Sequence, residues 1–198
     1  MIQRREEQFL KVGETNDFVD AVTGEALTRV LIGGGYVSRV PHRLLTLLGS
    51  CVAVCLYDPG RGVGGMNHYL LPRNNERAPP PDDVRFGNDA LPWLIHAVEE
   101  LGGRRERLQA KLFGGAGAMG PRNRVGWENI AFARDYLQSQ NIPVLAEDVG
   151  KRVSRQVRFD TESGRAFVRY VESGDGQGLL RREQMAMAQT VFATPPGN

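Results

Sequence analysis

Two apolar runs in the middle of the chain have the length and residue types of buried β-strands. The first, residues 51–57 (CVAVCLY), is continuous and β-favouring, as in a strand covered on both faces. The turn signal DPGRG at residues 58–62 follows it, and residues 63–71 (VGGMNHYLL) form the second run. This order predicts an antiparallel hairpin.

Helical spacing occurs in two later segments. An apolar stripe at positions i, i+3, i+4 and i+7 predicts an amphipathic helix over residues 89–101, and a similar pattern predicts another over residues 127–140. The other predicted strands are residues 30–32, before three glycines, residues 108–113 and 143–146, and a hairpin of residues 154–159 and 165–171. Strands and helices interleaved with hairpins predict a single-domain α/β sandwich with a mixed, largely antiparallel sheet.

Polar composition sets off both ends of the chain. Residues 1–25 are polar and aperiodic, and we interpret them as an N-terminal extension of a domain spanning residues 26–171. Residues 172–198 are Gly- and Gln-rich and are interpreted as a loosely attached tail. A mobile loop is predicted at residues 73–83, where three prolines follow one another. The charged first residues and the short apolar runs predict neither a signal peptide nor a membrane span.

Composition and charge exclude several classes of protein. The 198 residues are 41% apolar and 24% charged, which is ordinary for a globular domain that needs no disulfide or metal to be stable. A net charge of only +2 gives a weak long-range field, so nucleic-acid binding is not expected. The two cysteines, Cys51 and Cys55, would lie about 13 Å apart in a strand, too far for a disulfide, which favours a reducing, intracellular setting.

A cysteine and a histidine in the predicted hairpin form the candidate catalytic pair. A four-residue turn would place Cys51 directly opposite His68, and a six-residue turn would place it opposite Leu70. In both registers Cys51 and His68 share one face of the sheet, whereas an odd loop or a bulge would separate them. The pairing is therefore predicted for either even loop length.

A cysteine beside a histidine has a defined chemistry. An adjacent imidazole can activate a thiol as a nucleophile at neutral pH. Gly49 and Ser50 precede Cys51 at the start of the strand, where backbone N–H groups can hold a developing oxyanion. Cys55 lies deeper in the apolar run, and for Cys51 itself a buried structural thiol is the alternative interpretation.

Two other motifs suggest binding functions that their context does not favour. Residues 115–120 match the dinucleotide-binding pattern GxGxxG, but no helix opens within the motif and no acidic strand end follows about 20 residues on. The arginine clusters at residues 104–107 and 152–158 lack interleaved aromatic residues. We interpret both clusters as solvated surface rather than as a nucleic-acid site.

Four segments, in order along the chain, resemble the chemoreceptor glutamine deamidase family CheD. They are LGSCVAVCLYDP at residues 48–59, GGMNHYLLP at 64–72, KLFGGA at 111–116 and AEDVG at 146–150. The resemblance runs from about residue 29 to residue 169 and depends on several motifs together, so it is more specific than any one of them.

The resemblance implies a cytoplasmic chemotaxis enzyme that converts glutamine side chains on receptor helices to glutamate. It implies Cys51 as nucleophile and His68 as general base and acid, with no metal or organic cofactor. It also implies an α/β sandwich similar to that of cytotoxic necrotizing factor-type deamidases. Some members act as receptor methylesterases, and some pair with a CheC phosphatase, so a binding module that engages receptors or activates CheC is the alternative function.

The third residue implied by the resemblance does not fall where the family commonly has it. A hydroxyl residue six positions before the cysteine is expected, and Leu45 stands there, one position before Thr46. In a strand this displacement reverses the face. Either the strand is bulged so that Thr46 contributes, or a backbone carbonyl orients His68, or catalysis is weak. We take Thr46 as the third catalytic residue.

Overall fold

The structure is a computed structural model, which describes residues 8–21, 23–73, 84–117 and 124–171. Within these ranges the chain forms strands and two α-helices. The strands are β1 (Phe9–Val12), β2 (Thr15–Val19), β3 (Ala26–Val30), β4 (Gly34–Ser38), β5 (Arg43–Leu48), β6 (Val52–Asp58), β7 (Val63–His68), β8 (Gln109–Gly114), β9 (Val144–Val149), β10 (Ser154–Asp160) and β11 (Ala166–Val171). The helices are α1 (Gly87–Glu100) and α2 (Val125–Ser139).

The strands form two mixed sheets. The first sheet has the order β1-β4-β7-β6-β8-β9, and the second has the order β11-β10-β5-β3-β2. Each sheet contains one parallel pair, β8 with β9 and β3 with β5, and the other pairs are antiparallel. The predicted mixed, largely antiparallel α/β architecture is thus confirmed, with the strands divided between two sheets.

Both helices pack on the first sheet. Helix α1 contacts β4, β6 and β7, and α2 contacts β6, β8 and β9. The stripe predicted for α1 is buried, because its apolar side chains at helical spacing all face the sheet; the members are Leu91, Leu94, Ile95 and Val98. No helix in the described ranges is long and apolar enough to cross a membrane.

The buried side chains form two layers on either side of the first sheet. Alternate residues of β6, Val52, Val54 and Leu56, pack against the helices. Cys51, just before the strand, and Cys55 within it belong to the other layer, between the two sheets. The continuous apolar run is therefore explained by burial on both faces.

A buried carboxylate fixes the turn between β6 and β7. Asp58 accepts hydrogen bonds from the backbone N–H of Gly60 at 2.8 Å and of Arg104 at 2.8 Å. The Arg107 guanidinium donates to both Asp58 oxygens, at 2.8 and 2.7 Å. These interactions, the Arg107 hydrogen bonds first, lower the pKa of Asp58 to about 2. The turn is therefore held by a charge that persists at neutral pH.

Two expectations for the N-terminal part of the chain are wrong. Residues 9–19, predicted to be aperiodic, form β1 and β2, which occupy edges of the two sheets. The strand predicted at residues 30–32 is instead β3, which ends at Val30, and of the three glycines predicted to form a turn Gly33 does so while Gly34 and Gly35 begin β4. Packing rather than a turn accounts for the glycine at position 35, because a Cβ there would lie 2.2 Å from the ring of Trp93 on α1.

Other expectations fall partly or wholly outside the described residues. They are the body of the loop at 73–83, the end of the glycine loop at 118–120 and the tail from residue 172. The domain boundaries proposed from the sequence stay predictions.

Candidate active site

The hairpin of β6 and β7 brings Cys51 and His68 onto one face of the first sheet. Tyr57 pairs with Gly64, and Val52 forms a bridge with Tyr69, so Cys51 lies opposite Leu70. This is the second of the two predicted registers. His68 is then one diagonal step from Cys51, a separation of roughly 7 Å between backbone positions that these side chains can span.

The end of this hairpin is held partly by a side chain. Main-chain pairing runs from Cys55 to Asp58 and resumes at Val52. Between these positions the N–H of Val54 donates to Oδ1 of the fully buried Asn67, at 2.9 Å. Asn67 immediately precedes His68, and its side chain points to the opposite face, so it fixes the backbone from which His68 projects.

Thr46 contacts His68 from the second sheet. Its Oγ1 lies 2.9 Å from His68 Nδ1 and donates to the carbonyl of Val30 at 2.8 Å. Strand β5 pairs with β10 in continuous register through Thr46, without a bulge. Leu45 therefore faces the other side of the second sheet, and Thr46 is the residue of this pair that reaches the site.

These hydrogen bonds assign the protonation of the imidazole. The single hydroxyl proton of Thr46 is used on the Val30 carbonyl, so Thr46 accepts a hydrogen bond from Nδ1–H of His68. Nε2 of His68 then carries the free lone pair, and in the described ranges it is buried with no hydrogen-bond partner. A neutral imidazole with a free lone pair on Nε2 is the form a general base requires.

Burial sets the charge of His68. The side chain is 2% exposed, and desolvation lowers its pKa to about 4, opposed only by the contact with the Val30 carbonyl. The imidazole is therefore neutral at pH 7 until it receives a proton. The residues that immediately precede β6 are Gly49, Ser50 and Cys51; Cys51 has no exposed surface and Ser50 is 6% exposed.

The glycine loop after β8 supports the backbone around Cys51. The N–H of Gly115 donates to the Cys51 carbonyl at 2.7 Å, and the N–H of Ala116 donates to the Gly49 carbonyl at 2.7 Å. Gly114 has φ +105°, and a Cβ there would lie 2.2 Å from the Cys51 carbonyl oxygen. The segment KLFGGA thus needs its glycines to approach the strand start.

A buried arginine holds the AEDVG segment, which lies beside the glycine loop. Arg155, predicted to be solvated, is fully buried and donates to Oδ1 of Asp148 at 2.6 Å and to the backbone carbonyls of Asp148 and Gly150. Gly150 N–H in turn donates to the Gly114 carbonyl at 2.9 Å. The segment AEDVG is therefore an anchor for the glycine loop. The burial of Arg155 was not predicted, because an arginine-rich sequence does not show which of its arginines is buried and paired.

Asn129, a fully buried residue of α2, was not predicted as a site residue from the sequence. Its Nδ2 donates to the Ser50 carbonyl at 3.2 Å and to the Leu70 carbonyl at 2.9 Å. The available signal was an amide on the apolar stripe of the helix, beside Ile130 and one turn before Ala133. A buried polar side chain at such a position needs a partner, which here is the backbone next to Cys51.

The remaining histidines, His42 and His96, and the second thiol, Cys55, have other surroundings. His42 Nε2 lies 2.7 Å from Thr28 Oγ1, and its ring stacks on Tyr36. His96 is exposed on α1, 3.6 Å from Glu100. Burial raises the pKa of the Cys55 thiol far above its ordinary value. Across the described ranges, His, Cys, Asp and Glu form no group of three that could hold a metal ion.

Comparison with known proteins places the chain in a family. Residues 70–170 match the family described as CheD chemotactic sensory transduction. Three relatives, each named a probable chemoreceptor glutamine deamidase CheD, match over most of their length. The relative from Hydrogenovibrio crunogenus is 39% identical over 83% of this chain and 88% of its own. The relative from Caulobacter sp. (strain K31) is 40% identical over 80% of this chain and 85% of its own. The relative from Vibrio vulnificus (strain YJ016) is 37% identical over 88% of this chain and 85% of its own. The chain therefore belongs to the CheD family.

Proposed function

We propose that this protein hydrolyses the side-chain amide of glutamine residues on the cytoplasmic helices of chemoreceptors, giving glutamate and ammonia. The observation that carries the proposal is the hydrogen bond from His68 Nδ1–H to Thr46, which leaves Nε2 free on the face shared with Cys51. The names of the relatives, chemoreceptor glutamine deamidases, indicate the substrate class.

The first half of the reaction forms a thioester. Sγ of Cys51 attacks the carboxamide carbon while His68 Nε2 takes the thiol proton, so the resting pair is neutral. The oxyanion is held by backbone N–H groups near Ser50 and Cys51. His68 then gives its proton to the departing nitrogen, the carbon–nitrogen bond breaks, and ammonia leaves.

The second half returns the enzyme to its starting state. Water attacks the thioester carbon with His68 Nε2 as base, and the carbon–sulfur bond breaks. The proton on His68 returns to the Cys51 sulfur, and the product is a glutamate side chain. Throughout, Thr46 accepts from Nδ1–H and stabilises the imidazolium that forms transiently.

Receptor methylesterase activity by the same residues stays a prediction. A glutamate methyl ester presents the same acyl carbon, with methanol in place of ammonia as leaving group. A pairing with a CheC phosphatase is a second prediction. Methanol release would test the methylesterase activity, and CheC activity in the presence of this protein would test the pairing.

The decisive experiment is release of ammonia from a purified receptor cytoplasmic fragment that contains its native glutamines. Wild-type protein should release ammonia and raise the fragment mass by one unit per converted site, whereas Cys51→Ala should do neither. A wild-type protein that binds the fragment and releases no ammonia would establish the binding-module alternative.

A further inference from the structure

Asn129 lies on the helix side of the two chain segments that carry the proposed nucleophile and base. Its Nδ2 has two protons, and each has an acceptor: the carbonyl of Ser50 at 3.2 Å and the carbonyl of Leu70 at 2.9 Å. Ser50 immediately precedes Cys51, and Leu70 lies opposite Cys51, two residues after His68. One amide therefore links the start of β6 to the chain that follows β7.

The Ser50 carbonyl also determines the direction of the next N–H. A trans peptide is planar, with its C=O and N–H pointing in opposite directions, and the described ranges contain no cis peptide bond. Because Asn129 holds the Ser50 carbonyl toward α2, the N–H of Cys51 is directed away from α2. The Cys51 side chain belongs to the layer between the sheets, which is also the side away from α2.

Packing alone does not account for an amide at this position. Its neighbours on the buried stripe of α2 are apolar: Ile130, Ala133 and Leu137. Oδ1 of Asn129 is buried without a hydrogen-bond partner among the described residues, and such an orphaned acceptor carries a free-energy cost. The two bonds from Nδ2 are what an apolar residue of the same size could not supply.

The helix is itself held at this point. Tyr69, which pairs with Val52 through two backbone hydrogen bonds, donates its hydroxyl proton to the backbone carbonyl of Asn129 at 2.6 Å. The position of Asn129 relative to the start of β6 is therefore fixed by two sets of bonds: those of its own side-chain amide and the one from the Tyr69 hydroxyl to its backbone.

We propose that Asn129 is a positioning residue that orients the Ser50–Cys51 peptide, so that the Cys51 N–H meets the oxyanion formed by attack on the glutamine amide. This inference rests on the proposed function. Asn129 does not touch the substrate, and it acts through the peptide plane it holds.

The test separates formation of the oxyanion from reactivity of the thiol. Asn129→Asp keeps the shape of the side chain but turns a carboxylate oxygen toward two carbonyl oxygens, and Asn129→Ala removes the donors without adding charge. Ala133→Gly is the matched control, because it loosens the same buried face of α2 one turn later and leaves both carbonyl bonds in place. For each protein we would measure kcat and KM for ammonia release, the melting temperature, and the rate of Cys51 alkylation by iodoacetamide.

Alkylation needs a reactive thiol but forms no oxyanion, so the two rates should separate. We expect kcat to fall at least ~10-fold in both Asn129 variants, with KM changed less than ~3-fold and alkylation of Cys51 no more than ~2-fold slower. Ala133→Gly should lower the melting temperature and keep kcat within ~2-fold.

Three results would overturn the inference: kcat within ~2-fold of wild type in the Asn129 variants, an equal fall of kcat and alkylation, or failure of both variants to fold, which would assign Asn129 to stability. A wild-type protein that releases no ammonia would instead overturn the proposed function, so the two failures are distinguishable.

Discussion

Cys51 and Cys55 are four residues apart, face the same layer of the core and are both buried, yet the pairing of the described strands puts a histidine one diagonal step from Cys51 and a methionine opposite Cys55. Cys55 lies opposite Met66 in the antiparallel pair, and its pKa is raised by burial. Cys51 lies one diagonal step from His68, whose Nδ1 is bound by Thr46. Burial alone therefore does not decide whether a thiol is inert; the groups that share its space do.

Removing each thiol should give the largest difference between the two positions. We expect Cys51→Ala to reduce ammonia release at least ~10³-fold, because no other group supplies the nucleophile. Cys55→Ala should reduce it less than ~3-fold, since that thiol only fills the core. Equal losses in two folded variants would show that Cys51 has no special role.

Alkylation of the native protein should also distinguish the thiols. At pH 7 iodoacetamide should modify Cys51 at least ~100-fold faster than Cys55, as measured by peptide mass spectrometry, and the difference should disappear in urea. His68→Ala should slow modification of Cys51 by at least ~10-fold and leave Cys55 unchanged. The comparison fails if both thiols react at one rate in the folded protein.

Replacing the hydroxyl residue should have an intermediate effect. Thr46→Val removes the acceptor that holds Nδ1–H, so we expect kcat to fall at least ~10-fold, equivalent to about 1.4 kcal/mol in the barrier. Leu45→Val, on the opposite face of β5, is the matched control and should stay within ~2-fold. Leu45→Thr should gain nothing, and a gain in activity would place the working hydroxyl at position 45.

The smallest effect should be that of mild acid. Because the pKa of His68 is lowered to about 4, the imidazole stays neutral and able to accept a proton as the pH falls from 7 to 5.5. Over this range kcat/KM should change less than ~2-fold, and it should reach half its plateau near pH 4. A half-point near 6.5 would mean that His68 titrates as an exposed histidine.

The same pKa shift affects stability in a known direction. The unfolded chain takes up a proton on His68 near pH 6.5, whereas the folded chain resists it until about pH 4. The free energy of unfolding therefore falls as the pH is lowered from 6.5 to 4. Melting temperatures measured across this range would separate loss of activity by titration from loss by unfolding.

The sequence was sufficient to predict features that depend on neighbouring residues. The hairpin of β6 and β7 was predicted because its two apolar runs and its turn are local signals. The shared face of Cys51 and His68 followed from alternation, which holds for either even loop length. Both helices were predicted to within two residues at each end because their apolar stripes are regular.

Features that depend on distant parts of the chain were missed or left open. Thr46 was taken as the third catalytic residue, but how it would reach His68 was left open. The contact between Thr46 and His68 requires that β5 belong to the second sheet, which pairing with β10 decides. The burial of Arg155 depends on carbonyls from the end of β9 and the loop after it. β1 and β2 are short, partly exposed edge strands with little apolar alternation, so their pairing partners and not their own sequence define them.

If Cys51 is the nucleophile, as proposed, its complete burial implies that the reactive form of the protein is a minority population. A glutamine side chain can reach Sγ only in conformers that expose it, and if these are a fraction f of the molecules, the apparent dissociation constant is the intrinsic one divided by f. Each 1.4 kcal/mol of opening free energy thus weakens apparent binding tenfold. A receptor helix can repay that free energy through contacts away from the reacting amide, whereas a free amino acid cannot. We therefore expect burial of the Cys51 thiol to favour glutamines within a folded partner over free glutamine.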